Sequence, residues 1–352
     1  MFNKTLGNTD ITISNIGLGT MTFGEQVDEN TSFNILDCAI DNGINFIDTA
    51  EIYSAPTRRE TYGLTETIIG RWLKDKQRAN IILGGKVAGP DRGNNPWIRE
   101  GQGLTANDII NSCEKSLKRL NTDYIDLFQI HWPERYSPKF GELYYDPAKD
   151  YSNTSIYEQL EALNKLINEG KIRYIGLANE TPYGVSEFIR ISDLYNLPRV
   201  QSVQNHYSLT NRSYENGLDE MLYKHNISMI AYSPLSFGIL TGKYDNINID
   251  DIDKSVAGRL NKYTEYTKRK WCNKLTLKAA KAYNTLARES NLSPTELALS
   301  YCYNKWSIGC TLVGVTSTVQ LIENISASSI VLSDDILEKI NEIRWLYRDP
   351  TI

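Results

Sequence analysis

Cysteine is scarce in this 352-residue chain and is not arranged for pairing: Cys38, Cys113, Cys272, Cys302 and Cys310 are odd in number, scattered and free of any C-x-x-C spacing. That excludes a disulfide scaffold and predicts buried thiols in a reducing compartment. No run of about 18 apolar residues occurs, and the opening MFNKTLGNTDITIS has no apolar signal core, so the reading is a cytoplasmic protein without a membrane partner. Lysine and arginine number 38 against 43 acidic residues, with no basic run, which argues against nucleic acid as a partner. No Pro/Gly/Ser-rich linker divides the chain. A G-x-G-x-x-G and a P-loop are both missing: Gly17-Leu18-Gly19-Thr20 lacks the third glycine, and Gly238–Lys243 is one residue short of the Walker spacing. A Rossmann cofactor domain is thereby disfavoured, and the expectation is one domain over 1–352 that calls for no metal.

What is present is alternation. Apolar runs of strand length, Ile16–Leu18, Asn45–Ile47, Ile81–Leu83, Ile125–Ile130, Ile172–Gly176, Ser202–Gln204, Ser228–Ala231 and Thr311–Val313, are separated by stretches with helical spacing. Examples are Phe33, Leu36, Ile40; Ile110, Cys113, Leu117, Leu120; and Ile156, Leu160, Leu163, Ile167. Ser293-Pro294-Thr295-Glu296 has the form of a capping box with proline at the first helical position. Some eight βα units in one chain predict an α/β fold, a (β/α)8 TIM barrel with long βα loops at 84–103, 132–155, 206–216 and 232–266. Phe2–Ile13, with Gly7-Asn8-Thr9-Asp10 in its middle, predicts an N-terminal β-hairpin that plugs the barrel bottom.

Ionisable groups stand at or just past three strand ends: Asp48 after Asn-Phe-Ile, Tyr53 five residues on, Lys86 after Ile-Leu-Gly-Gly, and His131 after Leu-Phe-Gln-Ile. In a barrel the second, third and fourth strands would bring them into one bowl. Asp48 and Lys86 would satisfy each other's charge. A tyrosine ordinarily titrates near 10, and an adjacent ammonium favours its phenolate, which suits it to general acid work. With His131 on the same oxygen, the set suits protonation of a developing alkoxide, as carbonyl reduction requires. Gly314 to Gln320, a short strand end followed by hydroxyl residues and a helix, offers an anion site of the kind barrels carry after their last strands. Lys243 and Arg259 add cations from the preceding loop.

Taken in order, GLGTMTFGEQ at Gly17, GINFIDTAEIY at Gly43, LKRLNTDYIDLFQIHWP at Leu117, GKIRYIG at Gly170, QNHYSLTNRS at Gln204, AYSPLSFGILTGKY at Ala231 and VGVTSTVQLIENI at Val313 resemble the aldo-keto reductases nearly end to end, most of all their Tas-type NADP-dependent group. The resemblance implies NADPH in extended form and a catalytic set of Asp48, Tyr53, Lys86 and His131, with Tyr53 protonating an aldehyde or ketone oxygen. It further implies that Gly19, Thr20, Met21 and Asp48 lie near the nicotinamide ribose, that Asn179 and Gln204 hold the carboxamide, and that Tyr232 stacks on the ring. Ser233, Pro234, Leu235, Gly238 and Lys243 match the pyrophosphate loop, Gly314, Thr316, Gln320 and Asn324 the adenosine end, and Arg259 the 2′-phosphate. Two positions depart from the family pattern: Ala178 stands where serine is usual, predicting a looser carboxamide, and Gly84-Gly85 precede Lys86 where Ser or Thr is common, predicting a more mobile lysine. Phe23, Trp97, Trp132, Tyr136 and Phe140 are the expected apolar wall for a small carbonyl substrate, and 132–155 is either a lid or a disordered flap. The alternative function is an NADPH-holding regulatory barrel that serves a partner, as the channel-associated beta subunits of the superfamily do.

Overall fold

A computed structural model of the chain describes residues 1–91, 97–99, 103–138, 142, 144–247, 259–262 and 273–351. Phe140 and Cys272, named above, lie outside them. A hairpin of β1 (Asn3–Thr5) and β2 (Thr12–Ser14) precedes β3 (Ile16–Gly19), α1 (Glu29–Asp41), β4 (Phe46–Asp48), α2 (Leu64–Leu73), β5 (Ile82–Val87), α3 (Ala106–Leu120), β6 (Ile125–Ile130) and α4 (Ile156–Asn168). There follow β7 (Ile172–Ala178), α5 (Pro182–Tyr195), β8 (Val200–His206), α6 (Leu218–Lys224), β9 (Ser228–Tyr232), α7 (Lys274–Glu289), α8 (Pro294–Tyr303), β10 (Ile308–Val313), α9 (Thr318–Ser326) and α10 (Asp334–Leu346). Strands β3 to β10 close in the order β10-β3-β4-β5-β6-β7-β8-β9, every pair parallel. All eight expected strands and the (β/α)8 barrel are therefore borne out.

The period-2 alternation of strands divides the core in two. Ile47, Leu83, Phe128 and Val203 pack outward with the helices. Phe46, Ile82, Leu127, Ile230, Cys310 and Leu312 point inward and meet Leu6, Ile11 and Ile13 of the hairpin segment. The hairpin is the expected plug: Lys4 Nζ donates to Ile308 O at 2.6 Å, Gly7 N to Ser228 Oγ at 2.8 Å and Asn8 N to Gln201 Oε1 at 2.9 Å, all at strand starts. Gly7 has φ +53°, and a Cβ there would stand 2.5 Å from Gln201 O, so both its conformation and its closeness require glycine.

Helix starts obey the capping rules the sequence signals. Thr105 with Asp108, Ser155 with Glu158 and Ser293 with Glu296 form complete capping boxes, the last with Pro294 at the first position. The described cysteines Cys38, Cys113, Cys302 and Cys310 are free, all but Cys38 buried. Among the described residues no helix is long and apolar enough to cross a membrane.

Glu215 ties the segment after β8 to the turn that follows α8 and to α10. It accepts from Tyr207 Oη at 2.5 Å and pairs with Arg212 at 2.7 Å, Lys305 at 2.9 Å and Arg344 at 3.1 Å. Although burial disfavours the charge, these partners hold its pKa down to about 2. A carboxyl depressed in the folded state stabilises above its unfolded pKa, about 4.3, and that contribution is lost as pH falls toward about 2. Glu215→Gln is expected to cost about 3 kcal/mol near neutral pH and little at the acid end. Urea midpoints measured across that range check this; parallel pH profiles for the two proteins would refute it.

Candidate active site

Four inward positions just above the apolar layer carry polar side chains: Asp48 on β4, Lys86 on β5, Gln129 on β6 and Gln204 on β8. Lys86 is wholly buried and donates to Asp48 Oδ2 at 2.5 Å and to Thr49 O at 2.8 Å. Asp48 Oδ1 accepts from Gln204 Nε2 at 2.8 Å and Gln129 Nε2 at 3.3 Å, while its carbonyl accepts from Thr20 N at 3.1 Å and Thr20 Oγ1 at 2.8 Å. Burial lowers the pKa of Lys86, and the Asp48 charge opposes that shift.

Tyr53 and His131 join the pair. Lys86 Nζ lies 5.4 Å from the Tyr53 ring centroid, and the Tyr53 and His131 rings meet edge to face at 5.6 Å and 83°. The backbone of His131 is fixed from both sides, its N donating to Val87 O at 2.9 Å and its O accepting from Asn179 Nδ2 at 2.8 Å. The structure thus brings together the four residues the sequence singled out. Lys86 is held by its bonds to Asp48 and Thr49 O, and a Cβ on Gly84 would stand 3.0 Å from the Phe46 ring and 3.1 Å from Asp48 Oδ1, so glycine there makes room for the pair.

The predicted cofactor positions ring the same mouth. Asn179, with φ +53°, receives the Tyr232 hydroxyl on Oδ1 at 2.7 Å, and the Tyr232 ring stacks on His206 at 5.7 Å. Gly19 pairs with Asp48 in register, and Met21 O accepts from Ala55 N at 2.9 Å. After β9 the backbone turns through Ser233, Ser236, Phe237 and Gly238, all with positive φ, so Pro234 and Leu235 lie within a sharply folded loop. Lys243 returns over that loop: a Cβ at Gly238, whose φ is +96°, would stand 3.3 Å from Lys243 Nζ. Desolvation and then the charge of Arg259 lower the Lys243 pKa, and no carboxylate among the described residues pairs with Lys243. Two cations that raise each other's energy in this way fit an anionic group such as a phosphate. Arg259 lies 4.7 Å from the Phe237 ring centroid and donates Nε to Gln26 Oε1 at 3.1 Å. Past Gly314, Thr316 N donates to Gln320 Oε1 at 2.9 Å, Ser317 caps α9, and Asn324 is buried. These residues fit a dinucleotide, with ring contacts at one end and cations and a helix start at the other.

Around Tyr53, Trp132 and Trp97 form an apolar cluster with Ala50, Ile52, Tyr62, Ala88 and Ile98. Phe23 is not part of the wall. It is wholly buried in the strand–helix core, since its N donates to Thr20 O at 3.0 Å and its O accepts from Thr65 Oγ1, turning the ring inward. Tyr136 packs on Tyr145 at 5.7 Å, with its N on Tyr151 O at 3.2 Å, and Glu134 accepts from Asn153 N at 3.1 Å. The described parts of 132–155 are therefore folded back on themselves. Sequence reasoning passed over Gln129, Glu51 and Asn205. Asn205 Oδ1 accepts from Glu180 N at 3.0 Å and its Nδ2 donates to Glu180 O at 2.8 Å, clamping the turn that presents Asn179. A polar residue inside an otherwise apolar strand, as in Leu-Phe-Gln-Ile, was the available signal.

Barrel enzymes of this architecture work at the carboxyl ends of their strands. Within that class the chain belongs to the aldo/keto reductase family, whose family model matches residues 15–344, and it is an oxidoreductase. It is similar to Protein tas of Escherichia coli (strain K12), 41% identical over 344 residues and 97% of each chain. An Aldo-keto reductase of Babesia bovis is 36% identical over 288 residues, 77% of this chain and 98% of that one. The Uncharacterized oxidoreductase YrpG of Bacillus subtilis (strain 168) is 30% identical over 340 residues, 96% of this chain and 94% of that one. Aldo-keto reductases generally use NAD(P)H.

Asp48→Asn leaves the buried ammonium without its carboxylate and is expected to lower stability by about 3 kcal/mol at neutral pH. The loss should shrink toward about pH 10, because Lys86 then sheds the proton that burial disfavours. Urea denaturation at both ends of that range checks it, and a loss independent of pH would refute a charged Lys86.

Proposed function

We propose that residues 1–352 form a single-domain, cytoplasmic, NADPH-dependent reductase that converts aldehyde or ketone carbonyls to alcohols, with Tyr53 as the proton donor. The observation that carries the reading is the chain of contacts from Asp48 through Lys86 to Tyr53, at 2.5 Å from carboxylate to ammonium and 5.4 Å from ammonium to ring, with Asp48 and Lys86 both buried. A positive charge beside the phenol favours the negative charge left on its oxygen as the proton departs. Asp48 keeps that ammonium in the barrel despite its burial. His131, edge-on to Tyr53 at 5.6 Å, hydrogen-bonds the same carbonyl oxygen and orients the substrate against the Trp132 wall. The phenolic proton goes to the carbonyl oxygen, and a proton from solvent restores Tyr53.

When bound, NADPH supplies the hydride that the carbonyl carbon receives and leaves as NADP+. Asn179 and Gln204 hold its carboxamide, Tyr232 offers the ring face opposite His206, and Gly19, Thr20 and Met21 back the ribose. Lys243 and the loop of Ser233 to Gly238 take the pyrophosphate, Gly314, Thr316, Gln320 and Asn324 the adenosine. Arg259 takes the 2′-phosphate, which selects NADPH over NADH.

Tyr53→Phe keeps the ring but removes the proton, so kcat with 4-nitrobenzaldehyde is expected to fall by about 10²–10⁴ while NADPH still quenches tryptophan fluorescence. Retained kcat would refute the assignment, and NADPH binding by the wild type without turnover on any carbonyl would favour the partner-serving barrel. Arg259→Ala is expected to weaken NADPH about tenfold and NADH hardly at all, the loss of one charge-assisted phosphate contact. Equal weakening of the two in fluorescence titrations would overturn the 2′-phosphate role.

A further inference from the structure

Outside the barrel wall, between the segment leading into α2, the turn at Trp97–Arg99 and the first half of α3, lies a cavity of about 370 Å3. None of Asp48, Tyr53, Lys86 or His131 is among its lining residues. It exists because the chain beyond β4 continues to pair with β5, Glu51 N donating to Lys86 O at 3.1 Å, so that Glu51 points away from the bowl that Asp48 enters. The Glu51 carboxylate is fully engaged by Ala88 N at 2.7 Å, Arg99 Nη1 at 2.8 Å, Tyr62 Oη at 2.5 Å and Ser112 Oγ at 2.7 Å. The other acid among the described lining residues, Asp108, is committed to the α3 capping box through Thr105 N at 2.9 Å and Thr105 Oγ1 at 2.6 Å.

The cations are not balanced in the same way. Arg59 and Lys115 line the cavity from exposed positions and have no carboxylate partner among the described residues. Arg99 lines it too, and its buried Nε has no hydrogen-bond partner among the described atoms. Trp97 and Tyr62 supply an aromatic corner, edge to face at 5.5 Å. We propose that this cavity is a second ligand site that takes a small aromatic carboxylate, its ring against Trp97 and Tyr62 and its carboxylate toward Arg59 and Lys115. The volume is that of a small-molecule pocket. A single negative charge matches it better than a phosphate, whose second charge would face the carboxylates already in the lining.

Isothermal titration of the full chain with sodium 2-naphthoate tests the site. Binding is expected in the wild type, about fivefold weaker in Arg59→Gln/Lys115→Gln, a loss fitting two solvent-exposed charge contacts, and unchanged in His131→Ala. Because Arg59 and Lys115 are exposed, the double variant keeps its fold, which circular dichroism verifies. No binding to the wild type, equal binding to the double variant, or binding that vanishes in His131→Ala would each overturn the proposal, the last by moving the probe into the catalytic bowl. The titration reads no turnover, so its outcome is separate from that of the reductase assignment.

Discussion

An ammonium sealed inside a barrel dictates what its neighbours are. Burying Lys86 without a counter-charge would cost more than the rest of the local packing supplies, so Asp48 stands opposite it at 2.5 Å. The Asp48 carboxylate in turn has lone pairs that water cannot reach, and these are met by Gln129 and Gln204. One buried charge thereby accounts for the polar inward residues of four strands: β4, β5, β6 and β8. It also fixes the absence of a side chain at Gly84, where a Cβ would crowd both Asp48 and Phe46.

The same strands serve opposite ends of the barrel differently. Below the polar layer an apolar cluster of inward residues, Phe46, Ile82, Leu127, Ile230, Cys310 and Leu312, is sealed by Leu6, Ile11 and Ile13. Above it the chain leaves the strands in loops whose backbones are held by side-chain clamps. Asn205 fixes both polar groups of Glu180, and Asn179 spans from His131 O to the Tyr232 hydroxyl. A closed bottom and a clamped top let the groups at the mouth keep their geometry without help from a substrate.

Much of this was readable from residue order. The alternation of apolar runs with amphipathic helices announced the barrel, and the place of Asp48, Lys86 and His131 at strand ends announced where they would meet. Strand extents were less readable. Ile81–Leu83 was the expected strand, yet β5 runs through Gly84, Gly85 and Lys86 to Val87, because inside a closed barrel a buried lysine and two glycines are strand residues. Likewise β8 extends beyond Ser202–Gln204 to His206, since polar side chains that would break a two-sided apolar strand face one another across the barrel. Glu51, Gln129 and Asn205 were passed over for a related reason. Their partners, from Ser112 to Asp48 and Glu180, stand far off in sequence, and only the closed topology pairs them. Phe23 misled in the opposite sense, an aromatic in a mouth loop whose ring the Thr20 and Thr65 hydrogen bonds turn into the core.

The departures from the family pattern take on a different meaning in this light. A Ser or Thr at the position of Gly84 or Gly85 reads, in a list of residues, as a support for the lysine, and its loss as loosened support. In the folded chain the lysine is held from the side, by Asp48 and Thr49 O, and not from the residues before it. A side chain at Gly84 would push against the carboxylate that does the holding. Ala178 belongs to the same account: it is buried at the end of β7, and the next residue, Asn179, has its backbone N fixed by Gln204 O at 2.9 Å. At Gly84 the missing side chain leaves room for the Asp48–Lys86 pair, and beside Ala178 the backbone bond from Asn179 to β8 fixes the chain, so both departures sit where strand register already positions the neighbouring groups.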